Sequence, residues 1–260
     1  MPAAIILAAG RGGRLGPLTA ERPKCLLRVG TGSLLDHQLD ALRGQGVDSI
    51  VVVAGYCAAA VEAELGGRAT LLLNPRHAET NSLYSLWLAR DRVRDGFVLL
   101  NADVLFDPEI LRRVLASPHP EALAVERRER FEAEEMKVAL DGERIRAMSK
   151  SLPPVQAQAE NVGVLKFSAE GARVLFDKME ELLVAGAEKQ FVPYAFNAIA
   201  EQRPLHAVPT EGLPWIEIDF VEDLLRAREE IWPAILARGA SRREAAMAVS
   251  AANPAPAIGN

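Results

Sequence analysis

A glycine cluster, a few cations and two late carboxylates carry the chemistry this sequence can do. Gly10, Gly12 and Gly13 follow directly on an apolar run, in AAIILAAGRGGRL. Lacking side chains, they let backbone N–H groups close around phosphate oxygens and let the chain take positive φ. Arg11, Arg14 and Lys24 bring positive charge to the same loop, with Lys24 behind the proline of ERPKCLL. A glycine cluster alone is as readily a structural turn. The arginines and the Arg-Pro-Lys behind it favour phosphate binding. The loop continues past Lys24 instead of entering a helix at once, so it is neither a dinucleotide fingerprint nor G-x-x-x-x-G-K-[ST].

The opposite charge comes later. Asp103 ends the apolar run GFVLLNAD, where a charge is costly unless it meets a cation. A cap for the helix beginning PEIL is the plainer role, but Asp107 is better placed for it. Asp219 repeats the pattern at the end of PWIEID. Two aspartates at strand ends, facing a glycine and lysine loop, would hold Mg²⁺ against a nucleoside triphosphate. Nucleotidyl transfer needs in-line positioning and charge neutralisation, with little covalent work by the protein. A phosphate monoester acceptor has a second pKa of about 6, is largely dianionic at neutral pH and requires no general base. His37, His77, His119 and His206 are scattered, form no Ser-His-Asp or Cys-His constellation, and read as surface or packing residues. In this scheme Lys24 and the metal offset charge on the α-phosphate as pyrophosphate leaves, and Arg14 holds the departing phosphates.

These residues need a scaffold that sets loops side by side. Strand patterns occur at AAIILAA, Ser49–Gly55, Ala69–Leu73, Gly96–Asp103 and Glu121–Glu126, with helical spacing between them in LLDHQLDALRGQG, AAAVEAEL, SLYSLWLARDRV and PEILRRVL. Such alternation implies right-handed βαβ crossovers and a Rossmann-like, doubly wound, mostly parallel sheet of the α/β class. In such sheets ligands sit at the carboxyl ends of the strands, where the glycine loop and Asp103 fall. After about residue 130 the rhythm changes. MKVALDGERIRAM reads as two strands around Asp141-Gly142, and AENVGVLKFS as another. Helices are expected near Ala169–Val184 and Phe191–Glu201, then a strand at PWIEID and a helix from Val221. The second half therefore adds a small antiparallel part. Tyr84 and Trp87, three apart on a predicted helix, are expected to face the sheet rather than the ligand.

Composition bounds the rest. At 260 residues and 49% hydrophobic, the chain can bury one large α/β core, expected over residues 1–238, with 239–260 as a frayed tail. A net charge of −5 with no block of like charge points to a small-molecule partner, not nucleic acid or a membrane surface. Cys25 and Cys57 are far apart without CxxC or histidine company, which suits reduced thiols in the cytoplasm. No signal peptide or span-length apolar segment is seen.

The first 27 residues also resemble a family signature. AAIILAAGRGGRLGPLTAERPKCLL is similar to the LAAGxGxRxxPxTxxxPKxL pattern of the nucleotidyltransferases that make NDP-sugars and related activated compounds. NPRHAETNSLYSLWLAR, LLNADVLFDPEIL, EEMKV, SKSLPP, VGVLKFS and LPWIEIDFVEDLLRA resemble its phosphocholine cytidylyltransferase branch, over about residues 3–232. The resemblance implies the nucleotide-diphospho-sugar transferase type of fold, CTP and Mg²⁺. It places Leu7, Ala8, Ala9, Gly10, Arg11, Gly12 and Gly13 around the nucleotide, with Arg14 and Lys24 on its phosphates. Ala54, Gly55 and Tyr56, with Thr80, Asn81 and Ser82, would complete the nucleoside pocket, and Asp103 and Asp219 match the two magnesium aspartates.

The acceptor is implied less specifically. Phe131, Glu135, Lys150, Glu160, Asn161, Tyr194 and Trp215 are the candidates for its pocket. A trimethylammonium or amine head calls for aromatic faces and a carboxylate. The branch commonly carries tyrosines with acidic neighbours near residue 192, whereas this chain reads KQFVPYAFNAI with 5% aromatic content overall. Choline phosphate, aminoethylphosphonate and inositol phosphate stay open as acceptors, as does a homodimer. Two other classes stay open too: a sugar-1-phosphate nucleotidyltransferase using UTP or GTP, and a non-catalytic nucleotide-binding relative, against which the intact Lys24, Asp103 and Asp219 argue.

Overall fold

The computed structural model describes residues 2–252. Its strands are β1 (Ala3–Ala8), β2 (Arg28–Val29), β3 (Gly32–Ser33), β4 (Ile50–Ala54), β5 (Thr70–Leu73), β6 (Gly96–Asn101), β7 (Val104–Phe106), β8 (Ala122–Arg127), β9 (Lys137–Asp141), β10 (Arg144–Ser149), β11 (Ala159–Ser168), β12 (His206–Pro209) and β13 (Trp215–Glu217). The helices are α1 (Leu34–Gly44), α2 (Ala58–Leu65), α3 (Ser82–Leu88), α4 (Pro108–Ala116), α5 (Ala169–Val184), α6 (Val192–Ile199), α7 (Val221–Arg226) and α8 (Trp232–Ala252).

Nine strands form one sheet in the order β5-β4-β1-β6-β11-β8-β12-β10-β9. β5, β4, β1 and β6 run parallel, β11 runs antiparallel to both β6 and β8, and β12 is parallel to β8. The sheet is therefore mixed and mostly parallel, and helices cover both faces. On one side Leu35, Leu39 and Leu111 pack on Ile6, Val52 and Val98; on the other Leu83, Leu86, Leu175 and Phe196 pack on Ile5, Leu99 and Leu165. Each such buried apolar side chain stabilises by about 1.5–3 kcal/mol. Local signals agree with the packing: Ser33 and Asp36 form a reciprocal capping box at α1, and Asp107 caps α4 by accepting from the Glu109 N–H at 2.9 Å.

Several expectations are corrected. GFVLLNAD is not one strand ending on Asp103: β6 stops at Asn101, a turn holds Ala102 and Asp103, and the chain resumes as β7. The strand expected at PWIEID is shorter, Trp215–Glu217, and lies outside the main sheet. β13 pairs antiparallel with β7 as a separate ribbon, Trp215 opposite Phe106 and Glu217 opposite Val104. The ribbon exists because Leu105, Ile216 and Ile218 have a third apolar cluster to enter, shared with Leu15, Leu27, Leu34, Leu224 and Ile235. β12 was not expected, since only Ala207 and Val208 stand between its His206 and Pro209. The tail expected from residue 239 lies instead in α8 as far as Ala252; residues 253–260 lie outside the described residues. Arg238 and Arg242 on that helix pair with the fully buried Asp107 at 3.1 and 2.8 Å, which ties α8 to the start of α4.

Candidate active site

The loop after β1 brings Lys24 inward. Pro23 is extended, and Lys24–Leu26 then make a single 3₁₀ turn closed by the Leu27 N–H donating to the Lys24 carbonyl at 3.0 Å. Cys25 and Leu26 are buried, which fixes the turn on the core. Gly12 has φ +66°, and a Cβ there would sit 3.0 Å from the Lys24 Cβ, so glycine is what lets the two parts of the loop cross. The Thr19 hydroxyl donates to the Gly12 carbonyl at 2.9 Å and closes the loop. Lys24 is itself buried, not a loose loop residue as its position in the sequence suggests.

Its ammonium meets the two aspartates. Lys24 Nζ lies 2.9 Å from Asp103 Oδ2 and 2.5 Å from Asp219 Oδ1. Asp219 reaches this point because the Ile218 N–H donates to the Asp103 carbonyl at 3.0 Å and Asp223 Oδ2 accepts from the Asp219 N–H at 3.0 Å. Arg14 Nη1 lies 3.1 Å from Asp219 Oδ2, and its other nitrogen pairs with Glu134. Burial alone would lower the Lys24 pKa, but Asp103 and Asp219 more than offset it and raise it above the usual lysine value. Burial acts against ionised Asp219, and the Lys24 and Arg14 charges overcome it, so its carboxyl sits below the usual range.

A third carboxylate was missed. Ligand oxygens of Asp103, Glu217 and Asp219 all lie within 4.8 Å of one another. Burial, reinforced by the charges of Asp103 and Asp219, pushes Glu217 up to about 8. The signal was present in WIEID, because residues two apart on an extended chain share a face. Asp103 Oδ1 is buried without a hydrogen-bond partner. Three hard oxygen donors, one with an unsatisfied buried atom, fit a divalent cation such as Mg²⁺.

Beside this cluster is a cavity of about 260 Å³ at the carboxyl ends of β1 and β6. Of the candidates named from the sequence, Leu7, Ala9, Gly10, Gly12, Lys24, Thr80, Asn81, Ser82, Asp103, Lys150 and Asn161 line it. Phe191, an aromatic candidate for the acceptor head, lines it too, as do His77, Asn101, Met136, Val192, Pro193 and Phe196, which were not singled out as site residues. Ser82 and Asn81 hold the segment before α6 against the cavity: Ser82 Oγ accepts from the Val192 N–H at 3.0 Å, and the Asn81 N–H donates to the Glu188 carbonyl at 2.8 Å.

Other candidates lie around this cavity without lining it. Ala8 and Ala54 are buried in the core beneath. Gly55 packs against His77, where a Cβ would come within 2.4 Å, and the Tyr56 N–H donates to the Ala9 carbonyl at 3.1 Å. The Arg11 guanidinium lies 5.5 Å over the Tyr56 ring, while Gly13 opens the 3₁₀ segment that carries Arg14. Phe131 is half-buried in the β8–β9 loop, and Tyr194 faces outward on α6, 47% exposed. Glu135, Glu160 and Trp215 gather in a neighbouring cluster around Arg128. Tyr84 and Trp87 stack on each other at 5.9 Å; Trp87 packs on the core as anticipated, while the Arg76 guanidinium lies 5.2 Å over the Tyr84 ring.

A glycine loop, a buried lysine and three clustered carboxylates at the edge of a doubly wound sheet are the parts a nucleotide-handling transferase needs. Residues 4–182 match the MobA-like NTP transferase domain, and the chain belongs to that family of nucleotidyltransferases. It is similar to the CTP:phosphoglutamine cytidylyltransferase of Campylobacter jejuni, 26% identical over 247 residues, covering 85% of this chain and 97% of that one. It is 39% identical over 129 residues to the CMP-5'-(3-aminopropyl)phosphonate synthase of Streptomyces rubellomurinus, covering 48% of this chain and 20% of that protein. The match thus spans only a fifth of the latter's length. Among solved structures, the CTP:phosphocholine cytidylyltransferase of Streptococcus pneumoniae has the same fold, with a TM-score of 0.74 at 23% identity over 88% of this chain and 99% of that one. No helix among the described residues is long and apolar enough to cross a membrane.

Proposed function

We propose that this nucleotidyltransferase moves a cytidylyl group from CTP to a small phosphate or phosphonate acceptor and releases pyrophosphate. The observation that carries the reading is the convergence of Lys24 Nζ with Asp103 and Asp219 beside the glycine loop. The CTP preference rests on the relatives, named as a CTP:phosphoglutamine cytidylyltransferase and a CMP-5'-(3-aminopropyl)phosphonate synthase.

In this reading the N–H groups of Gly10 to Gly13 cradle the triphosphate. Arg14 exchanges its carboxylate partners for the β- and γ-phosphates, and Lys24 offsets the charge that grows on the α-phosphate in the transition state. Leu7, Ala9, Thr80, Asn81 and Ser82 enclose the nucleoside. Asp103, Glu217 and Asp219 would hold Mg²⁺, which supplies charge neutralisation at the phosphates when bound. The dianionic acceptor needs no base, and Lys150, on the cavity wall, is the cation available to steer it. The free thiols Cys25 and Cys57 support a cytoplasmic setting.

The test is incubation of the protein with Mg²⁺, each of CTP, UTP and GTP, and a pool of phosphorylated alcohols, phosphonates and sugar phosphates, read by mass spectrometry and pyrophosphate release. CMP adducts of a phosphorylated alcohol or phosphonate are expected. Adducts formed only from UTP or GTP overturn the base assignment, and absence of any adduct overturns the reading.

A further inference from the structure

The sequence from Gly96 to Phe106 is apolar enough to run on as one strand, yet the chain breaks between Asn101 and Val104, and Asp103 owes its position to that break. Such a break takes backbone carbonyls away from the N–H groups of a neighbouring strand. Buried carbonyls need donors from elsewhere. One side chain serves two of them: Gln38 Nε2 donates to the Asn101 carbonyl at 2.8 Å and to the Val104 carbonyl at 2.8 Å. These two residues bracket Ala102 and Asp103.

Gln38 is a polar residue on an apolar face. It lies on the buried stripe of α1 with Leu34, Leu35, Leu39 and Leu42, and is 1% exposed. Both hydrogens of its amide are used, whereas Oε1 is buried without a hydrogen-bond partner. Leaving that oxygen orphaned is unfavourable, and a leucine or methionine at this place would avoid it. What those residues lack is the pair of donors. The helix that carries the amide is itself fixed, since Ser33 and Asp36 close its first turn and Asp36 pairs with Arg68 at 2.6 Å.

The clamped segment reaches all three carboxylates of the site. Asp103 lies inside it. Val104 stands opposite Glu217 in the β7–β13 ribbon, and the Asp103 carbonyl accepts from the N–H of Ile218, the residue between Glu217 and Asp219. The Ala102 N–H donates to the Leu7 carbonyl at 3.3 Å, which joins the same turn to the end of β1. Without the Gln38 donors the Asn101 carbonyl would be left without this partner, and the turn would be free to relax toward a continuous strand. The aim of Asp103 at Lys24 would then be lost.

We propose that Gln38 is a positioning residue for the carboxylate cluster: its amide holds the Asn101–Val104 turn so that Asp103, and through Val104 and Ile218 also Glu217 and Asp219, converge on one divalent cation. It is not among the residues lining the cavity, so it acts only through the groups it holds. Removing a side chain that holds a metal's ligands in place typically lowers metal affinity about 10- to 100-fold. The inference rests on the reading of these three carboxylates as the holders of the cation, and adds the buried residue that sets their convergence.

The experiment measures Mn²⁺ binding by calorimetry and electron paramagnetic resonance, beside a non-hydrolysable CTP analogue, in the wild type and in Gln38→Met, which keeps the side chain's length and removes its donors. Gln38→Met should raise the Kd for Mn²⁺ about 10- to 100-fold, with the metal-free Kd of the CTP analogue unchanged. Excess Mg²⁺ should restore the lost kcat, which it would not do for a variant that is merely unstable. A second measurement needs no variant: in the wild type, nuclear magnetic resonance should show the Gln38 side-chain amide protected from hydrogen exchange and shifted when Mg²⁺ is added. An unchanged Kd for Mn²⁺ in Gln38→Met, or a Gln38 amide that exchanges freely and ignores Mg²⁺, overturns the inference alone. Absence of Mn²⁺ binding to the wild type overturns the cation reading and the inference with it.

Discussion

Lys24 Nζ lies 2.5 Å from Asp219 Oδ1, joining two residues 195 positions apart in the chain. The first sits in the loop after the first strand and the second just beyond the β7–β13 ribbon, so the contact exists only when both are in place. Substitution Lys24→Ala should lower kcat about 10²- to 10³-fold, the usual effect of removing one preorganised charge from a transition state. It should also destabilise the protein by about 1–3 kcal/mol, discounted because both aspartates keep about a quarter of their surface in water. Steady-state kinetics and denaturant unfolding check both effects. A near wild-type rate would remove Lys24 from the mechanism.

Glu217→Gln should weaken the requirement for metal more than the binding of nucleotide. Removing one of three clustered carboxylates is expected to raise the Mg²⁺ concentration for half-maximal activity about tenfold or more, with the KM for CTP changed less. A Mg²⁺ titration at saturating CTP reads this, and an unchanged midpoint would exclude Glu217 from the cation's surroundings.

The glycine loop, Lys24 and both aspartates were legible in the sequence because each interrupts an apolar pattern where a charge or a glycine needs a reason. Glu217 was not, although it shares a face with Asp219: PWIEID read as a strand with its one chemical residue at the end. The ribbon was hidden too, since Val104, Leu105 and Phe106 prolong the apolar run of β6 and only backbone geometry shows the break at Ala102–Asp103. The cavity wall from Phe191 to Phe196 depends on hydrogen bonds from Asn81 and Leu83 to a segment about a hundred residues away, which no local pattern encodes. The alanines, arginines and glutamate after Gly239, read as a tail, are good helix formers, and Arg238 and Arg242 dock the helix on Asp107.

Stability should carry a signature of Glu160. Burial, opposed by Arg128 and reinforced by Glu135, Glu126 and Glu132, pushes its carboxyl up to about 7, against an ordinary value of about 4.3 in the unfolded chain. The folded state therefore binds the proton more tightly. The stability this provides is full below about pH 4.3 and is lost as pH rises through about 7. Glu160→Gln cannot ionise, so its melting temperature relative to wild type should be higher at pH 8 than at pH 5. The same difference at both pH values would contradict the assignment.

The two thiols should differ in reactivity. Cys25 is 2% exposed, and burial pushes its pKa up to about 12, whereas Cys57 is partly accessible at the start of α2. Iodoacetamide at neutral pH, followed by peptide mass spectrometry, should label Cys57 and leave Cys25 intact in the folded protein. Equal labelling would mean that the turn carrying Lys24 opens readily.

The central claim is that Asp103, Glu217 and Asp219 jointly hold one divalent cation beside Lys24 and the nucleotide. Anomalous diffraction from crystals grown with Mn²⁺ and a non-hydrolysable CTP analogue tests it most directly. The account predicts a manganese peak bonded to oxygens of Asp103, Glu217 and Asp219, with the triphosphate on the glycine loop. A peak bound elsewhere, or nucleotide seated with no ion between these carboxylates and the phosphates, would contradict it.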